Sequence, residues 1–322
     1  MPYLISSDYQ PPRFFTNAHV QTIYATRIRQ VKGVEYRRER IETPDGDFLD
    51  LDYSEVGIGP FAILIHGLEG NTKQRYMLGM VRALNMRGIN TVSVNLRGCS
   101  GESNRLLRAY DMGSTRDLVL ITYYLKHKYP HTDQYLVAFS LGGNLVLKFL
   151  GEAGNYAPPQ IKRAVVFSVP CDLPSTAQMI TAKSNRLYFY QFMHSVQKKL
   201  REKNRQFPGQ VHPRALEWGH SFKHLDDYYT ATLLGFNSAE EYWEKSSSKR
   251  VLAHIRVPTL LVNAKDDPLI SPECFPHEVA SESEFFSLET PEHGGHVGFV
   301  SFNASGEYWS ERRASHFLLT GR

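Results

Sequence analysis

Five short apolar runs, each closed by a glycine or a polar turn, set the tightest limit on how this chain can fold. They are Phe61–Ile65, Thr91–Asn95, Tyr135–Phe139, Ala164–Ser168 and Pro258–Val262. Each is too short for a helix and rich in β-branched or aromatic residues, as buried strands are. Between them lie helix-compatible segments, Arg75–Arg87, Thr115–Tyr129 and Gly143–Glu152. Strands alternating with helices require crossover connections, which build a mostly parallel sheet flanked by helices. Ligands of such sheets sit beyond the carboxyl ends of the strands. The residues that close each run are therefore the place to look for chemistry.

Two stretches depart from this rhythm. Residues 33–55 alternate around the turn Pro44-Asp45-Gly46-Asp47, which predicts a two-stranded hairpin. Residues from Asp172 to about Arg250 carry helices rich in aromatics and lysine, with no comparable strand. Because the pattern resumes near Leu261, this segment is expected to be a helical cap inserted into one domain spanning residues 1–322, not a second domain.

Composition excludes several classes. With 322 residues and 42% hydrophobic content the chain can bury a large core, and a net charge of +4 makes no general case for nucleic-acid binding. Three cysteines, Cys99, Cys171 and Cys274, without CxxC spacing, argue against a disulfide framework or a zinc site and suit a reducing cytoplasm. The N-terminus lacks the basic and apolar regions of a signal peptide, and no apolar run reaches transmembrane length.

The strand ending at Phe139 leads into Ala138-Phe139-Ser140-Leu141-Gly142-Gly143 and then a helical segment. A serine on so sharp a strand-to-helix turn needs small neighbours two positions away on either side, here Ala138 and Gly142. Taken alone, these residues fit simple strand–helix packing equally well. The strand Phe61–Ile65 delivers His66-Gly67-Leu68-Glu69-Gly70, a turn that can donate a backbone N–H to an oxyanion, or serve only as a glycine turn. We assign the two donors to Leu68 and Leu141. Serine also needs a base, and the acid and histidine follow it in that order on this architecture. Asp266 and Asp267 close the strand containing Leu261, and His293 and His296 lie in Glu292-His293-Gly294-Gly295-His296-Val297-Gly298-Phe299. Asp267, followed by Pro268 and two aliphatics, suits the acid, with Asp266 supporting the turn. His296, preceded by glycines, suits the base, with His293 as the alternative. A metal site built on the two histidines lacks a third ligand at suitable spacing.

These pieces together resemble the YheT-like branch of the α/β-hydrolases, esterases related to the abhydrolase-domain lipases. The resemblance rests also on Asn17-Ala18-His19-Val20-Gln21-Thr22, on Asn95-Leu96-Arg97-Gly98-Cys99-Ser100-Gly101 and on Asn263-Ala264-Lys265-Asp266-Asp267-Pro268, and so spans most of the chain. It implies an α/β-hydrolase fold, Ser140, Asp267 and His296 as the relay residues, and hydrolysis of carboxylic esters, lipid-like ones in some relatives, without a cofactor or metal. The loop Tyr110-Asp111-Met112-Gly113 departs from the branch, whose members tend to carry a histidine near Asp111. Acyl transfer or thioester cleavage by the same residues, and a non-catalytic binding protein on the same fold, are the alternatives.

Within the cap, Leu187-Tyr188-Phe189-Tyr190-Gln191-Phe192-Met193 precedes Lys198-Lys199-Leu200-Arg201-Glu202-Lys203. The expected arrangement packs the aromatics over the site and turns the basic residues to solvent, which favours an apolar ester substrate. The alternative is weak peripheral membrane contact through this helix. Arg97 is expected to pair with a buried carboxylate, and His19 and Gln21 to brace the cap or the sheet edge.

Overall fold

The computed structural model describes residues 3–217 and 221–322. Among them nine strands form one sheet: β1 (Tyr3–Ile5), β2 (Arg37–Glu42), β3 (Phe48–Ser54), β4 (Phe61–Ile65), β5 (Asn90–Asn95), β6 (Gln134–Phe139), β7 (Ile161–Phe167), β8 (Thr259–Val262) and β9 (Phe286–Glu289). Their spatial order is β1-β9-β8-β7-β6-β4-β5-β3-β2. All neighbours run parallel except β2 with β3 and β3 with β5. The antiparallel pair is the expected hairpin, closed by Gly46 at φ 83° with its N–H donated to the Thr43 carbonyl at 3.0 Å.

The helices are α1 (Ala18–Ile23), α2 (Arg75–Asn85), α3 (Arg116–Lys128), α4 (Leu141–Ala153), α5 (Leu173–Thr181), α6 (Arg186–Gln206), α7 (Phe222–Leu225), α8 (Ala231–Leu234), α9 (Ala239–Ser246), α10 (His277–Glu282) and α11 (Trp309–Thr320). The central strands are buried on both faces, and alternate residues serve two cores as the pleat requires. Ile63, Ile65, Leu136 and Val166 pack with Leu118 and Leu125 of α3 and Leu147 of α4. Leu64, Val137, Phe139 and Val165 pack with Met77 and Met80 of α2 and Phe317 of α11. Each such side chain contributes roughly 1.5–3 kcal/mol on burial.

Some boundaries differ from the sequence reading. β7 starts at Ile161 and stops at Phe167, leaving Ser168 outside the strand with φ 53°. β1 was not expected at all; three residues suffice because it only adds an edge to β9. Helices α5 to α9 follow one another between β7 and β8.

Candidate active site

Ser140 sits between β6 and α4 with φ 52° and ψ −124°, a backbone conformation that costs a non-glycine residue of order 1–3 kcal/mol and persists only where packing enforces it. The enforcement is visible in its neighbours. A Cβ on Gly142 would lie 2.5 Å from the His66 carbonyl oxygen, and one on Gly143 would lie 2.4 Å from Val169 Cγ2. Gly67 leaves room on the other side, since a Cβ there would meet Ser140 Cβ at 2.9 Å. The turn thus presses two backbones together and pushes the serine side chain out beyond the strand ends.

The structure brings to this serine the two residues that sequence singled out. His296 Nε2 lies 2.9 Å from Ser140 Oγ, and its Nδ1 lies 2.9 and 3.1 Å from the two carboxylate oxygens of Asp267. A carboxylate only accepts, so Nδ1 carries the proton and Nε2 accepts from the serine hydroxyl. Asp267 is held in turn by the Leu269 N–H at 2.9 Å, and its side chain is fully buried. Asp266 and His293 form a separate pair. His293 Nδ1 lies 3.3 Å from Asp266 Oδ2, while Asp266 Oδ1 accepts the Gly295 N–H at 2.9 Å. That second pair ties the histidine loop to the aspartate loop and does not reach Ser140.

Leu68 and Leu141 border the same cavity as Ser140 and His296. Leu141 is the first residue of α4, where helix geometry leaves its N–H without an acceptor in the helix and the helix dipole favours negative charge. His66 does not face the cavity. It is fully buried, its Nε2 accepts the Leu96 N–H at 3.2 Å and its Nδ1 contacts the Gly67 carbonyl at 2.8 Å. Burial lowers its pKa to about 4, so it stays neutral and locks the turn that follows β4 to the end of β5.

Thr22 and Ser168, to which the sequence assigned no role, and Gln21, expected to brace the cap or the sheet edge, complete the support. The His296 N–H is donated to Thr22 Oγ1 and the Val297 N–H to Ser168 Oγ, each at 2.9 Å. Gln21 Oε1 accepts the Val300 N–H at 3.1 Å and the Tyr9 hydroxyl at 2.7 Å. Thus the Asn17–Thr22 motif clamps the histidine loop. His19 reaches the other way, with Nδ1 3.0 Å from the Tyr188 hydroxyl on α6. The sequence motif signalled importance, but only tertiary packing assigns the task.

A cavity of about 430 Å³ opens over Ser140 and His296. Ile180, Phe192, Phe222, Trp243, Leu269 and Ile270 give it apolar walls. Of the aromatic run in α6, Phe189 and Met193 are buried and Phe192 faces this cavity. The basic run departs from expectation, because two of its lysines turn inward. Lys203 donates to the Asn104 and Leu106 carbonyls, and Lys199 lies 3.0 Å from Glu69 and 3.1 Å from Cys99 Sγ. Arg97 pairs with Asp45 and Asp117, at 2.8 and 2.7 Å, and points away from the serine into the hairpin and α3. Among the described residues no group of three His, Cys, Asp or Glu side chains could hold a metal ion, and no helix is long and apolar enough to cross a membrane.

A strained serine, an imidazole and a buried carboxylate beyond the ends of β6, β8 and β9 place the chain in a known class. It matches the model of the alpha/beta hydrolase fold over residues 63–300, and it belongs to that family. Within the family it belongs to the YheT-like branch, being 32% identical to "Putative esterase YheT" of Escherichia coli (strain K12) over 98% of this chain and 94% of that one. It is 27% identical to Phospholipase ABHD3 of Mus musculus, over 92% of this chain and 74% of that one. It is also 27% identical to Monoacylglycerol lipase of Saccharomyces cerevisiae, over 88% and 63%. Among solved structures, the esterase Pf2001 of Pyrococcus furiosus superposes with a TM-score of 0.60 at 18% identity, covering 90% of this chain and 97% of that chain, a likeness of fold.

Proposed function

We propose that the protein is a serine hydrolase that cleaves carboxylic esters of apolar acids through an acyl-enzyme. The observation that carries this reading is the unbroken hydrogen-bonded path from Ser140 Oγ through His296 to Asp267 at the floor of an apolar cavity. His296 takes the serine proton as Oγ attacks the ester carbonyl, and Asp267 stabilises the imidazolium that forms. The N–H groups of Leu68 and Leu141 receive the oxyanion, each contributing on the order of 3 kcal/mol at the transition state. The imidazolium then protonates the departing alcohol, and a water deprotonated by His296 releases the acid. Each proton transfer is carried by these side chains, so the scheme calls for no cofactor or metal.

In this reading the helices of residues 172–250 form a cap on a single domain, and their apolar walls select short- to medium-chain or lipid-like acyl groups. The names of relatives, esterase, phospholipase and monoacylglycerol lipase, support ester chemistry. Three unpaired cysteines support a reducing compartment such as the cytoplasm. The test is turnover of nitrophenyl esters of increasing chain length by the wild type and by Ser140→Ala. Loss of turnover in the variant with a chain-length optimum in the wild type is expected; full turnover by Ser140→Ala would end the proposal.

A further inference from the structure

A helix on a globular surface normally buries its apolar face and shows its polar one. The segment made of α1 and the single wide turn that continues it, Tyr24–Ile28, does the reverse. Its buried residues are Gln21, Thr22 and Ala25, the first two spent on the histidine loop. Its outward residues include Val20, Ile23 and Ile28, the last 58% exposed. Alongside stands Phe14, 80% exposed at the tip of a turn with φ 73°, a conformation rare for a bulky residue. Phe15, Tyr24 and Phe302 pack edge to face at 5.0–5.8 Å and hold the turn, the helical segment and the loop after Val300 together as one surface.

The charge carried by this segment itself has one sign. Between Asp8 and Glu35 there is no acidic residue, while Arg13, Arg27 and Lys32 are all exposed. Protruding apolar side chains on a basic segment match an anionic lipid interface, where aliphatics and aromatics enter the acyl boundary and cations meet headgroups. We infer that the outward face of Phe14, Val20, Ile23 and Ile28 docks the protein on anionic lipid surfaces. This goes beyond the ester-hydrolase reading and does not depend on it. The same helix touches the histidine loop with its polar side, so docking here sets the candidate site close to the interface.

The test is sedimentation of the full chain with vesicles of phosphatidylcholine alone or with about 30% phosphatidylglycerol, in rising salt. The wild type is expected to bind the anionic vesicles at least about tenfold more tightly than the neutral ones, and to lose this as salt rises. Combined Phe14→Asn, Ile23→Ser and Ile28→Ser, and separately combined Arg13→Glu, Arg27→Glu and Lys32→Glu, should each weaken binding by about tenfold or more. Thermal melting and turnover of a soluble nitrophenyl ester check that both variants remain folded. The inference fails if the wild type shows no preference for anionic vesicles, or if the apolar variant binds as the wild type does. It fails equally if the wild type is a dimer that the apolar variant dissolves, since the face then covers a second copy. Should either variant not fold, the salt and lipid dependence of the wild type still decides.

Discussion

The carboxylate of Glu69 lies 3.0 Å from the ammonium of Lys199, joining the turn that bears Leu68 to helix α6. The same carboxylate accepts the Tyr110 hydroxyl at 2.8 Å and the Ser195 hydroxyl, and the Glu69 N–H is donated back to Tyr110 at 3.0 Å. Glu69 itself holds φ 55°, so the backbone beside Leu68 is strained and depends on these bonds. Glu69→Gln removes the charge that faces a largely buried ammonium. It should cost about 1–3 kcal/mol of stability and lower kcat about tenfold with little change in KM. Lys199→Met, which leaves Tyr110 and Ser195 on the carboxylate, should cost less. Denaturant melts and ester kinetics read both, and equal kcat in wild type and Glu69→Gln would detach this network from the oxyanion turn.

Two neighbouring Asp–His pairs allow a clean separation of roles. Asp267→Asn should lower kcat by about 10³–10⁴, because the amide no longer holds the proton on Nδ1 of His296. Asp266→Asn and His293→Ala break only the pair that ties two loops, and should keep kcat within about tenfold while lowering stability by about 1 kcal/mol. Steady-state kinetics on one nitrophenyl ester suffices. A collapse of activity in His293→Ala, with His296→Ala active, would reverse the assignment.

Thr22 meets the candidate site at the main chain of His296. Thr22→Val keeps the shape and deletes the acceptor of the His296 N–H, which lies 2.9 Å away. A displaced imbalance of a few tenths of an ångström in the imidazole is expected to reduce kcat about tenfold or more and to leave KM unchanged. Thr22→Ser, which restores the hydroxyl, should recover most of the loss. If Thr22→Ser and Thr22→Val are equally impaired, packing and not the hydrogen bond is what matters there.

How much of this the amino-acid sequence alone carries depends on the range of each contact. The runs at Phe61, Tyr135 and Thr259 announce strands because burial on both faces demands continuous apolar sequence, and the polar closures of those runs mark the sheet edge. Sequence also brought Ser140, Asp267 and His296 forward, since the turns that present them need glycine or proline at fixed offsets. Other assignments involve partners more than a hundred residues apart. Nothing local tells that Thr22 meets His296, that Ser168 meets Val297, or that Lys199 turns in to Glu69. Local pattern favours Asp267 over Asp266 through the Pro268 that follows it, but that each aspartate meets a different histidine of one loop is a matter of tertiary contact.

Asp226 carries the last prediction. It is buried beneath α9, accepts the Trp243 Nε1–H at 2.7 Å, and burial pushes its pKa up from the ordinary 3.8 to about 6. Between those two values the folded chain holds a proton that the unfolded chain has released. Stability therefore falls as pH rises from about 4 to about 6, and stays lowered above that, by roughly 3 kcal/mol in total from this one group. Asp226→Asn keeps an acceptor for Trp243 and cannot ionise, so it escapes the penalty. The melting temperature of the variant relative to the wild type should rise from pH 4 to pH 6.5 by about 5 °C and then level off. Measuring both proteins across pH 4–8 cancels the other carboxylates, which titrate in each. A difference that is flat across this range would mean that Asp226 ionises in the folded protein as readily as in water, and that the apolar surroundings of Trp243 are open to solvent.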